Sequence, residues 1–247
     1  MSSKSYNVFR DIVVKLIDRI VAEERNRIEE ASELIVEALS KEGFVYVFGT
    51  GHSMITALEM FYRAGGLVRI YPILDPSLLM LSGALKSTML ERLPGYGEAI
   101  LNSIPIKENS VIIIVSSSGK NAVPVEVAIK SREKGLKTIC ITSLEYSMRL
   151  SPSNPYGKRL FEVCDVSIDN KVPEGDAAYE VKGFAQKIAP VSTILNSFIV
   201  QLLVIRVVEK MIERGLDVEV WMSSNIPGGI EKNKEYLDRY IQIVKPL

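Results

Sequence analysis

The sequence has little of what metal centres and disulfide frameworks require. Its 247 residues include two cysteines, one histidine and one tryptophan. Two cysteines cannot form a disulfide framework, and the neighbours of Cys140 and Cys164 are typical of buried strands, so we expect reduced thiols. There is no CxxC pair and no second histidine to build a zinc centre. We therefore expect neither a metal nor another cofactor.

The chain also lacks an excess of either charge. Lysine plus arginine and aspartate plus glutamate both number 30. Proteins that bind nucleic acids or membrane surfaces usually carry a basic patch, so we expect neither partner. Residues 1–15 contain no apolar core of a signal peptide, and the most hydrophobic stretch, 190–208, has too many polar side chains to face lipid. These features predict a cytoplasmic protein.

Short apolar runs alternate with helical patterns along the chain. Helical spacing over 8–39 predicts one long helix, or two with a break near 23–27. The strand-like runs are 44–48, 67–74, 111–115, 138–142 and 161–169. Further helices are predicted at 52–64, at 190–214 and from about Glu231. Another follows residues 116–124 and ends at Lys134. This alternation predicts a parallel sheet covered on both faces, which is a doubly wound α/β fold.

No linker-like segment or internal repeat interrupts this order, so we expect one domain over residues 1–247. Its core would span about 30–215, with an N-terminal helical extension at 5–40 and a C-terminal helical tail at 216–247. Residues 170–189 are polar and are predicted to form a loop.

Two loops combine glycine with serine directly after a strand. The first loop comprises Gly49, Thr50, Gly51, His52 and Ser53; the second loop comprises Ser116, Ser117, Ser118, Gly119 and the following Asn121. Glycine lets backbone N–H groups approach an anion, and serine hydroxyls donate further hydrogen bonds. Either loop alone is ordinary turn chemistry. Together they predict a site for a single phosphate group, since neither is a complete dinucleotide or Walker A motif.

The two loops carry a family resemblance. GTGHS resembles the G-x-G-x-S turn of sugar isomerase (SIS) domain proteins, and SSSGKNAVPVEVA resembles their phosphate loop. TICITS and CDVSID resemble the ends of their fourth and fifth strands. The resemblance covers roughly residues 30–215 and is nearest to single-domain proteins close to the phosphoheptose isomerases. It implies a five-stranded, flavodoxin-like parallel sheet, a bound phosphosugar, a homodimer or tetramer, and phosphate contacts from Ser53 and from 116–118.

Three side chains are candidates for proton transfer. Aldose–ketose isomerisation moves a proton between C1 and C2 and needs a base. Glu59 lies six residues after Ser53, although an i, i+4 ion pair with Arg63 would explain it as well. Glu91 lies in the glycine-punctuated segment LERLPGYGEA, where an ordinary charged helix end is the alternative. His52 lies within the first loop, and a structural role is its alternative.

The sequence departs from the phosphoheptose isomerases at two places. Their late helix carries histidines, whereas Asn196 and Gln201 are the polar groups of the helix predicted here. Their first loop is followed ten residues later by a glutamate, a position that Arg63 occupies in this chain. Further polar residues that the sequence does not place are Asp176, Lys182, Lys187 and Asn225.

These features together favour an isomerase that acts on a phosphorylated sugar. A non-catalytic phosphosugar sensor and a phosphosugar etherase or lyase remain alternatives. The helices at 8–20 and 190–211 carry more apolar surface than one sheet can cover, which predicts a twofold dimer. Such an interface would bring a neighbour's residues close to the two loops.

Overall fold

A five-stranded parallel sheet forms the centre of the molecule, in the order β2–β1–β3–β4–β5. The structure is a computed structural model that describes residues 3–247. The strands are β1 (Val45–Gly49), β2 (Ile70–Pro72), β3 (Val111–Val115), β4 (Lys137–Thr142) and β5 (Val166–Asp169). The predicted doubly wound α/β fold is thereby confirmed.

Helices cover both faces of this sheet. They are α1 (Ser3–Glu23), α2 (Arg25–Ser40), α3 (Met54–Met60), α4 (Ala84–Leu90), α5 (Tyr96–Asn102), α6 (Ala122–Glu133), α7 (Leu144–Met148), α8 (Ser192–Glu213) and α9 (Gly229–Tyr240). The helical pattern over 8–39 is divided between α1 and α2, and the break at Glu24 lies within the predicted interval.

The hydrophobic core has two layers because successive strand residues point to opposite faces of the sheet. Val111 and Ile113 of β3 pack in the layer that contains α2 and α8. Ile112 and Ile114, their neighbours in sequence, pack in the layer that contains α6 and α9. All five residues of β3 are buried, as expected for a central strand with helices on both sides.

The structure corrects the bounds of three predicted elements. The strand predicted at 67–74 is limited to Ile70–Pro72. The strand predicted at 161–169 begins only at Val166, because Leu160–Glu162 form a short 3-10 helix. The helix predicted at 52–64 begins as a 3-10 turn at Gly51–Ser53 and ends at Met60. It stops there because Phe61 is extended and Tyr62 has a φ of 42°, outside the helical region.

The prediction that 170–189 is a loop was incomplete. This segment contains β6 (Ala177–Tyr179) and leads into β7 (Ile188–Pro190), and the two pair as an antiparallel hairpin outside the main sheet. The intervening residues, 180–187, are exposed. The helical pattern predicted from residue 190 therefore begins two residues later, at Ser192 of α8.

Helix α8 is long and apolar enough, by length and composition, to cross a membrane. In this fold it is a core helix, because one of its faces packs against α2, α3 and the sheet. Leu195, Ile199 and Leu203 on that face are fully buried. Ile205 and Ile212 on the other side of α8 are exposed, so a single chain covers only part of the apolar surface of this helix.

Candidate functional site

The two predicted loops lie side by side at the carboxyl edge of the sheet. Strands β1 and β3 are neighbours, with Gly49 opposite Val115 in the parallel register. The first loop follows Gly49 and the second follows Val115, so they leave the sheet at adjacent positions. The chain runs from β1 outward to β2 on one side and from β3 outward to β4 on the other. This edge is therefore the switch point at which open α/β sheets bind ligands.

The glycines of the first loop are required by its tight turn. A Cβ atom on Gly49 would lie 2.6 Å from the carbonyl group of Ser53, which no real side chain allows. Gly51 has a φ of 55°, and its N–H donates to the carbonyl of Leu78 at 2.8 Å. Ser53 is partly exposed and, among residues 3–247, its hydroxyl has no hydrogen-bond partner. The turn thus uses both glycines and leaves one serine hydroxyl available.

The serines of the second loop have different environments. Ser116 is buried, and its Oγ accepts a hydrogen bond from the N–H of Gly119 at 3.2 Å. The Oγ of Ser117 accepts one from Nδ2 of Asn170 at 3.2 Å. Ser118 is partly exposed, and within the described part of the chain its hydroxyl and its N–H form no hydrogen bond. Ser118 is therefore the serine of this loop with free donors for a ligand.

Gly119 completes the second loop in a conformation that favours glycine, with a φ of 58°. A Cβ atom there would come within 3.1 Å of the hydroxyls of Thr142 and Ser147. The carbonyl of Ser117 also accepts hydrogen bonds from the N–H of Ser143 at 3.1 Å and from Oγ1 of Thr142 at 3.3 Å. The end of β4 therefore holds this loop in one shape.

Glu91 connects the two loops through its carboxylate. Its Oε2 accepts a hydrogen bond from Oγ1 of Thr50 at 3.0 Å, and its Oε1 accepts one from Nδ2 of Asn121 at 2.9 Å. Glu91 follows α4, and its backbone carbonyl accepts from the N–H of Val123 in α6 at 3.1 Å. The carboxylate is held from two sides and remains about one-fifth exposed. Of the two predicted carboxylates, Glu91 is the one that contacts both loops.

Asn121 has an unused acceptor at this position. The residue is 7% exposed, and its amide nitrogen is directed to Glu91. Among the described residues, its Oδ1 is buried and has no hydrogen-bond partner. A buried acceptor without a partner is costly, and in a binding site it is a position for a donor such as a hydroxyl group of a ligand.

The other two candidates contact less of this site. Glu59 of α3 forms an ion pair with Arg63, which follows the end of that helix, and its Oε1 accepts a hydrogen bond from Nε2 of Gln201 at 2.9 Å. The i, i+4 pair that the sequence left as an alternative is therefore present. The side chain of His52 is exposed at the first loop and forms no hydrogen bond within residues 3–247.

Sequence reasoning missed one residue beside the second loop, Asn170. Its Nδ2 donates to Ser117 and also to Oδ1 of Asn196 on α8, at 2.9 Å. Asn170 is fully buried, and it directly follows β5. The combination of glycine with serine that singled out the two loops is absent after β5, so that pattern misses Asn170. Its position directly after a parallel strand is the signal that could have found it.

The four polar residues that the sequence did not place lie outside the two loops. Asp176 caps α8, because its carboxylate accepts hydrogen bonds from the N–H and the hydroxyl of Ser192 at 2.8 and 2.6 Å. Lys182 and Lys187 both lie in the connection between β6 and β7, and Lys187 forms an ion pair with Glu180 at 3.1 Å. Asn225 is exposed in the loop before α9. In residues 3–247, no group of three His, Cys, Asp or Glu side chains could hold a metal ion.

Comparisons with known proteins agree with this architecture. Residues 8–143 match the family described as SIS domain. A UPF0309 protein of Thermoanaerobacter pseudethanolicus is 39% identical over 96% of this chain and 98% of its own length. A phosphoheptose isomerase from Francisella tularensis superposes with a TM-score of 0.56 and 15% identity, over 84% of this chain and 98% of that chain.

A further structural relative was solved in complex with a sugar phosphate. The Vibrio vulnificus NanR protein, complexed with ManNAc-6P, superposes with a TM-score of 0.52. Its identity to this chain is 12%, over 96% of this chain and 70% of that one. At such identities the two structures share a fold with this chain, and the fold alone does not choose between enzyme and regulator.

Proposed function

Because the chain belongs to the SIS domain family, we propose that it binds a phosphorylated sugar at the β1–β3 edge and interconverts the aldose and ketose forms. One observation carries this proposal: the carboxylate of Glu91 bridges Thr50 of the first loop and Asn121 of the second. The proposed phosphate site and the proposed base would thereby lie together at one edge of the sheet.

The phosphate group is proposed to bind between the two loops. Ser53 and Ser118 offer free hydroxyls, and the N–H of Ser117 and of Ser118 have no partner among the described residues. These donors would surround the phosphate oxygens, as glycine-containing loops after parallel strands do in other α/β proteins. The Francisella tularensis structure, which is a phosphoheptose isomerase, supports a sugar phosphate as the ligand.

Glu91 is proposed to transfer the proton. In the aldose, its carboxylate would remove the proton on C2, the proton of the C2 hydroxyl would pass to the C1 oxygen in the resulting enediolate, and return of the carbon-bound proton from Glu91 to C1 would give the ketose with its carbonyl at C2. The hydrogen bonds from Thr50 and Asn121 fix the orientation of the carboxylate. The unpaired Oδ1 of Asn121 would accept a hydrogen bond from a sugar hydroxyl beside the reacting carbons.

Turnover of a panel of sugar phosphates tests this function. Aldose and ketose phosphates of different chain length would be incubated with the protein, and interconversion would be followed by NMR. Conversion of any matched pair supports the isomerase. Cleavage of an ether or of a carbon chain would instead indicate an etherase or lyase.

Substitution of the two glutamates tests the role of Glu91. Gln at position 91 can keep both contacts, since its oxygen still accepts from Asn121 and its amide can donate to Thr50. We expect Glu91→Gln to lower kcat by about 10²–10⁴ with little change in binding. Glu59→Gln is the matched control, because Glu59 is a carboxylate on α3 whose partners, Arg63 and Gln201, belong to neither loop. Normal turnover by Glu91→Gln, with loss in Glu59→Gln, would assign the base to Glu59.

A sensor is the second candidate function, favoured by the NanR relative that is complexed with a sugar phosphate. A sensor would bind sugar phosphates with the same loops and convert none of the panel. Calorimetric binding in the absence of turnover would establish this role. A cytoplasmic location, where phosphorylated sugars occur, stays a prediction for both functions.

A further inference from the structure

Lys120 adds a positive charge to the second loop. It lies between Gly119, which has a left-handed conformation, and Asn121, which donates to Glu91. Its main chain is fixed from outside the loop, because its carbonyl accepts hydrogen bonds from the N–H of Ser153 at 2.9 Å and from Nδ2 of Asn154 at 2.8 Å. The position of this lysine is therefore determined by the segment after α7.

That segment is itself anchored to the core of the molecule. Tyr156 donates its hydroxyl proton to the buried carboxylate of Glu126 on α6, at 2.9 Å. The same carboxylate accepts the N–H groups of Gly95 and Gly97, at 2.9 and 2.8 Å. Glu126 thus connects residues 153–156, which contact the main chain of Lys120, to residues 95–97, which follow Glu91 in the chain. Both sides of the candidate site are connected through one buried side chain.

The ammonium group of Lys120, in contrast, has no partner. Within residues 3–247 it forms no ion pair and no hydrogen bond, although the side chain is partly buried. The arginines nearest to the site in sequence are already paired, Arg63 with Glu59 and Arg92 with Glu91. A lysine whose main chain is fixed and whose charge is uncompensated is available to an anion.

We propose that Lys120 binds the phosphate group of the ligand and selects phosphorylated over unmodified sugars. This inference rests on the proposed function. The other donors of the loops, serine hydroxyls and backbone N–H groups, are neutral, whereas a phosphate monoester carries nearly two negative charges near neutral pH. A lysine at the loop supplies the opposite charge, and a charge-assisted hydrogen bond is about twice as strong as a neutral one.

Titration with inorganic phosphate tests the proposal with a defined probe. Backbone amide NMR shifts would be followed in the full-length chain and in its Lys120→Gln and Lys120→Arg variants, at low and at moderate salt. We expect phosphate to shift the amides of Ser117 and Ser118. Lys120→Gln should weaken binding roughly tenfold or more and reduce its salt dependence, and Lys120→Arg should restore most of both.

Lys158 provides a matched control in the same segment. Its carbonyl also accepts from Nδ2 of Asn154 at 2.8 Å, and its side chain is exposed without an ion pair in the described residues. Lys158→Gln should leave phosphate binding unchanged. If the amides shift but Lys120→Gln binds like the parent chain, Lys120 has no such role and the phosphate site stands. If phosphate moves neither amide in the parent chain, both the phosphate site and the role of Lys120 are wrong.

Discussion

At the scale of residues, the three consecutive serines of the second loop differ in the hydrogen bonds of their hydroxyl groups. Ser116 uses its hydroxyl to hold the N–H of Gly119, Ser117 accepts from Asn170, and Ser118 is free within residues 3–247. The motif predicts that the loop lies at the site, since it follows a buried strand. It does not predict which hydroxyl faces a ligand, because that depends on side chains about 25 or more residues away, such as Thr142 and Asn170.

Alanine substitutions at Ser116 and Ser118 should therefore have different effects. Ser118→Ala removes a free hydroxyl, so phosphosugar affinity should fall by about 0.5–1.5 kcal/mol while the melting temperature stays constant. Ser116→Ala leaves the N–H of Gly119 without its acceptor and should lower the melting temperature as well. Calorimetric titration and thermal unfolding measure the two effects. If Ser118→Ala has the melting temperature and the phosphosugar affinity of the parent chain, this serine does not contact the ligand.

A second prediction at this scale concerns metal ions. The single histidine, His52, is exposed at the first loop, and Cys140 is buried in β4 beside Ser167. Proton transfer by Glu91 needs no metal ligand set. Isomerase activity should therefore survive prolonged treatment with EDTA, measured with the sugar phosphate that the panel identifies. Loss of activity that zinc restores would contradict this prediction and require ligands from another chain.

At the scale of elements, charged side chains join α2 to α8. The carboxylate of Glu29 contacts Nε of Arg206 at 2.6 Å and Nζ of Lys210 at 2.9 Å. Glu33, one turn later, contacts Arg214 at 2.6 Å. The helical periodicity of both segments predicts their apolar faces, but their mutual pairing connects residues 177 positions apart. Such contacts depend on which helices the sheet brings together, so no local pattern reveals them.

The pairing of Glu29 predicts a dependence of stability on acid. Hydrogen bonds from Arg206, and next from Lys210, lower the pKa of Glu29 from 4.5 to about 2. Because the folded-state pKa is the lower one, the stabilisation is complete above pH 4.5 and is lost as the pH falls towards about 2. Glu29→Gln should lower the melting temperature at neutral pH, and its difference from the parent chain should shrink over that interval.

Glu30→Gln is the control for this experiment. Glu30 lies on the same helix and pairs with Arg27 at 2.8 Å, but this pair is about half exposed and joins two residues of α2 alone. Exposed pairs within a helix contribute little to stability. If both variants differ from the parent chain by the same pH-dependent change in melting temperature, the contact between α2 and α8 contributes no more to stability than an exposed pair within one helix.

At the scale of the whole molecule, the parallel sheet was more predictable than the segments that connect its strands to the later helices. Alternating strands and helices with right-handed crossovers permit few arrangements, and the observed sheet is one of them. The hairpin of β6 and β7 was not predicted, because its strands have only three residues each and lie outside the sheet. Three-residue strands are too short to show an alternating pattern.

The exposed face of α8 predicts association of two chains. Ile194, Ile205 and Ile212 are 40%, 51% and 64% exposed. Their spacings of 11 and 18 residues correspond to about three and five helical turns, so they lie on one side of the helix. Val14 and Val21 of α1 are 46% and 42% exposed and are two turns apart. An exposed apolar stripe is a candidate interaction surface, and we expect a twofold dimer to cover it with its own copy.

Light scattering of the parent chain should therefore give at least twice the chain mass of 27.5 kDa. A double substitution, Ile205→Glu and Ile212→Glu, places charges on residues that are exposed in the single chain, so it should yield a folded species of one chain mass. Met148→Glu on α7, where the side chain is 58% exposed, is the control and should remain associated.

If residues of a second chain complete the site at the two loops, sugar phosphate binding should fall together with association in the double variant. A parent chain that is active at 27.5 kDa would refute both the dimer and the shared site, whereas a dimer that survives the double substitution would place the interface on another face.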